Sequence, residues 1–201
     1  EDAVGFAVKL NEWFAKRRSN SRSKKVLGWS ELSFRLPTEA EWEYACRAGS
    51  QGDTYAGNLN LKTEDQTKAE MLDSIAWYGG NSGREYDLKI RREMSWLNGL
   101  EEQEMKGGTR KVTQKAPNPW GLYDMLGNVW EWCEDRYGKY LVERATDPIG
   151  PSEGMYRVSR GGSWDNRARY LRSACRYRND PGKESSYLGF RLLSSAREIE
   201  R

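Results

Sequence analysis

NPWGLYDMLGNVWEWCEDRY, residues Asn118 to Tyr137, is the stretch on which the fold turns. Through Val129, Trp130, Glu131 and Trp132, apolar and polar residues alternate with the two-residue period of a strand. Further along, YRVSRGGSW (Tyr156 to Trp164) and GFRLL (Gly189 to Leu193) read as two more strands. The Arg-rich, turn-rich span Asp165 to Tyr187 separates them. On the other side, FRLPTEAEWEYACRAGS (Phe34 to Ser50) predicts a helix. Thr38 caps it, Glu41 answers three residues on, Gly49 ends it, and Trp42, Ala45 and Cys46 share its inner face. An earlier helix is predicted from Ala3, Phe6, Ala7, Leu10, Trp13 and Phe14, whose three- and four-residue spacing marks one buried face.

The remainder is irregular. Lys16 to Lys25 (KRRSNSRSKK) is basic and Ser-rich without interleaved aromatics, so it reads as a solvated loop rather than a nucleic-acid reader. Gln51 to Ala116 lacks periodicity apart from an apolar knot at Ile75 to Tyr78, and residues 85–114 read as an inserted excursion, helical around Ile90 to Leu97. Two helices, a small antiparallel sheet and long connections make an α+β fold, organised as a single domain over residues 1–201.

Composition narrows the function. The 201 residues carry 33 basic and 30 acidic side chains, a net charge of +3 that gives no strong field for a nucleic acid. A mean hydropathy of −0.94 would suit disorder, but nine Trp, eleven Tyr and four Phe supply a core. There is no His, which removes Ser-His-Asp and Cys-His catalysis and His-ligated iron, copper and zinc. Cys46, Cys133 and Cys175 are widely spaced without a CxxC, so buried free thiols are expected at Cys46 and Cys133. No apolar run is long enough to span a membrane.

The blocks RLPTEAEWEYACRAG, NPWGLYDMLGNVWEW, RVSRGGSW, RSACRYR and LGFRLL, in that order, closely resemble the formylglycine-generating enzyme (sulfatase-modifying factor) family. The resemblance implies a C-type-lectin-like fold, rich in loops and Trp packing, with the family's usual N-terminal strands absent. It also locates the family's chemistry. The two copper-binding cysteines that follow the GGS motif fall at Asn166 and Leu171, and neither is a thiolate ligand for Cu(I). The related His-ligated iron sites have no counterpart in a chain without His. Catalytic residues are therefore expected to be absent, with an oxidase of this class, or a degenerate relative, as the alternative. Asn128 and Glu131 resemble part of a family calcium site built from oxygen ligands. The competing reading of Glu131 is a buried acid paired with Arg160, Arg172 or Arg191. No cofactor other than calcium is expected.

The span GGSWDNRARYLRSACRYRNDPGKESSYLGFRLL is similar to the variable region, here residues 164–188, of proteins diversified by retroelements, treponemal members among them. That resemblance implies constant GGSW, RSA, R and LGFRL blocks separated by positions encoded by mutable AAC codons. The separating positions are Asp165, Asn166, Arg167, Tyr170, Leu171, Cys175, Tyr177, Arg178, Asn179, Asp180, Ser185, Ser186 and Tyr187. All are reachable from AAC, whereas Lys183 and Glu184 are not. Tyr surfaces, adaptable Ser, Asn and Asp, and Arg donors form the mixture found in antibody loops. On a lectin-like scaffold they are expected to project from one face as a ligand-binding surface.

The expectation is a non-enzymatic, receptor- or adhesin-like protein whose partner is a protein or another surface-exposed ligand. No nucleic-acid partner is expected, and the protein is read as a monomer. A bacterial cell-surface location would come through an upstream leader or lipid anchor, with a cytoplasmic location as the alternative.

Overall fold

A computed structural model describes residues 2–20, 32–63, 66–83, 108–140 and 145–196. Helix α1 spans Asp2–Asn20, so it runs further than the apolar spacing predicts and takes in the start of the basic stretch expected to be a loop. Residues 21–25 of that stretch, and 85–107 of the expected excursion, lie outside the described residues. The apolar stripe of α1 is only partly covered. Ala7 is buried, but Phe6 and Trp13 keep 51% and 45% of their surface. Helical period shows that a stripe exists, not what packs on it. The helix is held at its middle, where the Asn11 side-chain amide donates to Phe34 O and accepts from Phe34 N, both at 2.8 Å.

That contact is to β1 (Leu32–Arg35), a strand not foreseen in the sequence. β1 pairs antiparallel with β6 (Leu193–Ala196), near the C-terminal end of the described residues. Helix α2 (Glu39–Arg47) forms as predicted, with Thr38 Oγ1 accepting from Glu41 N and the Glu41 carboxylate accepting from Thr38 N. Asp135 Oδ2 adds a third partner, accepting from Glu39 N at 2.7 Å and placing a carboxylate at the positive end of the helix. The left-handed residue that ends α2 is Ala48 (φ 45°), one before the expected Gly49. A short third helix, α3 (Glu70–Ile75), occupies the stretch expected to be irregular.

The main sheet contains β2 (Trp130–Arg136), β3 (Arg157–Arg160), β4 (Arg176–Asn179) and β5 (Leu188–Gly189), in the order β4-β3-β2-β5. The β2–β3 pairing is antiparallel as expected; β4, which pairs antiparallel with β3, lies in the span expected to be a turn-rich connection, and β5 runs parallel to β2. The predicted Gly189 to Leu193 strand is thus divided between β5 and β6, in different sheets. The core is built around Trp42, Cys46, Leu72, Tyr78, Met125, Leu126, Val158 and Leu171. Both thiols expected to be buried are inside it. Burial pushes the Cys46 thiol up to about 12 and the Cys133 thiol well above its usual range.

Loops are stitched to the sheet by backbone bonds. Asn128 N donates to Trp77 O (2.7 Å), Gly127 N to Gly161 O (2.9 Å) and Trp164 N to Asn128 O (2.9 Å). Gly127 has to be glycine: its φ is +77°, and a Cβ there would lie 2.2 Å from Trp77 O. Buried ion pairs then lock α2 onto the sheet. Glu39 takes Arg176 through two bonds (2.6 and 2.7 Å) and lies 3.4 Å from the fully buried Arg160, which also pairs with Glu43.

Candidate functional site

The span 164–188 is held to the framework largely through its backbone. Asn166 O accepts from Gly79 N (2.9 Å), Cys175 O from Arg160 Nη1 (2.5 Å), Ser186 O from Trp164 Nε1 (3.3 Å) and Tyr187 O from Trp130 N (2.8 Å). Any side chain leaves a carbonyl oxygen available for such bonds. Of the residues expected to be constant, Trp164 and Ser173 are buried and Arg176 carries Glu39, whereas Arg172, Ala174 and Phe190 are exposed. Of the thirteen positions between them, Tyr177, Arg178, Asp180 and Ser186 are exposed and most of the others are half-buried.

Two of the thirteen positions are buried. Leu171 is 0% exposed, within the core at the end of the 3-10 turn Ala168–Leu171, so it supports the surface from beneath. Asn179, 7% exposed, donates from Nδ2 to Ser159 Oγ at 2.9 Å. Asp165 and Asn166 are half-buried and partly committed: the Ser163 hydroxyl lies 2.5 Å from Asp165 Oδ1 and 3.0 Å from Asn166 Oδ1. Arg167, also half-buried, precedes the 3-10 turn. Asp180 is exposed and shapes a turn by accepting from Gly182 N.

The remaining positions do not share one face. Strand side chains alternate across a sheet, so neighbours on β4 point opposite ways. Tyr177, 46% exposed, stacks on Trp130 with ring centroids 5.2 Å apart. Arg178 lies instead with Tyr137 and Tyr156. Tyr170 and Cys175 line a third location, an open cleft of about 900 Å³ whose other wall is the loop Asp53 to Thr63 with Leu59 and Leu61. Burial raises the Cys175 thiol above its usual range. Ser185, Ser186 and Tyr187 form the loop that crosses Trp164 on its way to β5. The loop 53–63 and the residues Tyr137 and Tyr156 were not identified as site residues from sequence. They enter through long-range contacts, which leave no local pattern.

Asn128 and Glu131 do not fit a calcium ion. Asn128 Oδ1 accepts from Arg110 N (2.9 Å), and Glu131 is taken by Arg191 (2.6 and 2.8 Å) and by Trp42 Nε1 (2.7 Å). Of the three arginines considered as partners for Glu131, the structure selects Arg191. Among the described residues, no group of three or more His, Cys, Asp or Glu side chains is placed to hold a metal. No described helix is long and apolar enough to cross a membrane.

Residues 1–196 match the family described as sulfatase-modifying factor enzyme 1-like domain. The chain is 36% identical over 164 residues to the formylglycine-generating enzyme of Mus musculus, a match covering 80% of this chain and 39% of the enzyme. It is also 36% identical over 173 residues to the serine/threonine-protein kinase pkn1 of Chlamydia pneumoniae, covering 84% of this chain and 22% of the kinase. Among solved structures it resembles Treponema denticola variable protein 1, with a TM-score of 0.59 and 37% identity over 80% of this chain and 47% of that one. PvdO from Pseudomonas aeruginosa shares the fold at a TM-score of 0.59 and 22% identity, over 95% of this chain and 57% of that one. The chain thus spans well under half the length of those two curated relatives.

Proposed function

The chain belongs to the family of sulfatase-modifying factor enzyme 1-like domains, and from that membership we propose that it is a non-enzymatic ligand-binding domain, receptor- or adhesin-like, whose span 164–188 is diversified by a retroelement. Its scaffold is the C-type-lectin-like one of that family. The observation that carries the reading is the backbone attachment of the span through Cys175 O, Ser186 O and Tyr187 O. Side chains there can change without loss of the bonds that hold the loop, which is what a diversified surface requires. The likeness to a variable protein at 37% identity supports it. In this reading the ligand, a protein or another surface molecule, meets the cleft beside Tyr170 and Cys175 together with the Tyr177 and Ser186 surface. The fixed wall 53–63 supplies the constant half of the contact. The domain acts as a monomer displayed at a bacterial surface.

The oxidase reading draws on the relatives named formylglycine-generating enzyme. Against it, the copper positions implied by the family are Asn166, whose Oδ1 accepts from Ser163, and the buried Leu171. Neither fits Cu(I), which selects thiolates. Family membership alone does not carry chemistry.

The test is to sequence the DNA flanking the gene for a near-copy of the segment encoding residues 156–193 with AAC at the substituted positions, beside a reverse transcriptase gene. Its presence establishes the diversified binder. Its absence, together with stoichiometric copper and oxidation of a Cys-containing sulfatase peptide, would establish the oxidase instead.

A further inference from the structure

Arg176 and Arg178 are two residues apart on edge strand β4 and share one stack of rings. Arg176 lies over Tyr140 (4.0 Å) and Tyr137 (4.7 Å), and Arg178 over Tyr137 (5.7 Å) and Tyr156 (5.2 Å). The order Tyr140, Arg176, Tyr137, Arg178, Tyr156 is therefore continuous. The two guanidinium groups nevertheless have different fates. Arg176 spends its donors on Glu39 and on Gly138 O (2.9 Å). Arg178 is exposed, and its guanidinium has no hydrogen bond or carboxylate partner among the described residues.

Two rings that hold a guanidinium fix its orientation while leaving its N–H edge free for a planar acceptor. The surroundings reinforce the sign. Arg157 pairs in register with Asn179 beside Arg178, and Arg136 pairs with Arg157 on the next strand. Both use a guanidinium N–H on a backbone carbonyl, Arg157 on Glu134 O and Arg136 on Gly154 O, and neither has an ion pair among the described residues. Met155, 78% exposed, adds apolar surface next to Tyr156.

We propose that the Tyr137–Arg178–Tyr156 bracket is a docking site for a carboxylate-rich segment of a partner protein, with Arg178 engaging one carboxylate through two N–H donors and Arg136 and Arg157 supplying the attracting field. This surface is separate from the cleft at Tyr170 and from the Tyr177 face; because Arg178 is one of the thirteen positions in the span 164–188, the inference rests on the reading of that span as ligand-binding and names the class of ligand this face takes.

Fluorescence anisotropy with labelled octaglutamate, and octaglutamine as control, tests it at low and at physiological ionic strength. The wild-type protein is expected to bind octaglutamate and not octaglutamine. Arg178→Gln should weaken binding by about tenfold, the scale of a charge-assisted hydrogen bond. Arg178→Lys should weaken it too, because an ammonium keeps the charge but not the two-donor geometry. Arg136→Gln and Arg157→Gln should each cost about twofold, as rim charges do. Equal binding by wild type and Arg178→Lys would reduce the site to net charge and overturn the proposal. So would no octaglutamate binding, or a loss of thermal stability in Arg178→Gln, which would make Arg178 a strut like Arg176. Tyr170→Ser, which alters the cleft, should leave octaglutamate binding unchanged, so failure of the diversified-ligand reading and failure of this one are distinguishable.

Discussion

Glu131→Gln should destabilise the fold more than any surface charge change, and the size follows from its surroundings. The carboxylate is 6% exposed, accepts two bonds from Arg191 at 2.6 and 2.8 Å, and accepts the Trp42 indole N–H at 2.7 Å. It thereby ties β2 to α2 and to the segment leading into β6. Gln keeps the shape and one acceptor oxygen, but it turns an NH2 group toward the guanidinium and removes the compensating charge. Breaking a buried pair from one side costs about 3–5 kcal/mol. For a domain of this size each kcal/mol lowers the melting temperature by about 2–4 °C, so a fall of about 6–20 °C is expected by calorimetry or circular dichroism. Adding Arg191→Met removes the stranded charge and should recover part of the loss, although Tyr123 O and Asp124 O then also lose a donor. A single mutant within 2 °C (about 1 kcal/mol) of wild type, or a double mutant whose loss is the sum of the two single losses, would refute the reasoning.

Three further outcomes follow from the same geometry. Calcium at millimolar level should not raise the melting temperature of the wild-type protein, because the Asn128 and Glu131 oxygens are already committed; a calcium-dependent rise in a thermal scan would show otherwise. Stability should fall on acidification as Glu41 protonates. The Arg35 guanidinium hydrogen-bonded to it holds its carboxyl down at about 2, so its contribution is present above the ordinary carboxylate range near 4.5 and is lost as pH falls toward 2. That contribution is modest because the pair is well exposed, and Glu41→Gln should flatten the acid limb of a stability-versus-pH curve. Gly127→Ala should cost at least about 1–3 kcal/mol in denaturant unfolding, since a Cβ would strike Trp77 O and the positive φ is strained for alanine.

Helix α2 and strand β2 were readable from residues alone, since each depends on neighbours within a few positions. The Thr38–Glu41 box closes over three residues, and the alternation at Val129 to Trp132 is local. Strand β1, the division between β5 and β6, and the partial exposure of α1 were not readable. They depend on what lies opposite, as Asn11 meets Phe34 and Leu32 meets Ala196. The candidate surface divides the same way. Its candidate positions came from the resemblance to a family pattern of constant blocks, not from a local period. That Tyr177 and Arg178 face apart, that Leu171 and Asn179 turn inward, and that Glu131 chooses Arg191 was set by the assembled sheet. Residues as distant as Glu39 and Arg176 meet there, and a buried carboxylate must take whichever guanidinium the packing brings within reach. Chain order carries the short-range hydrogen-bonding and side-chain periods, whereas burial and charge pairing are properties of the closed structure.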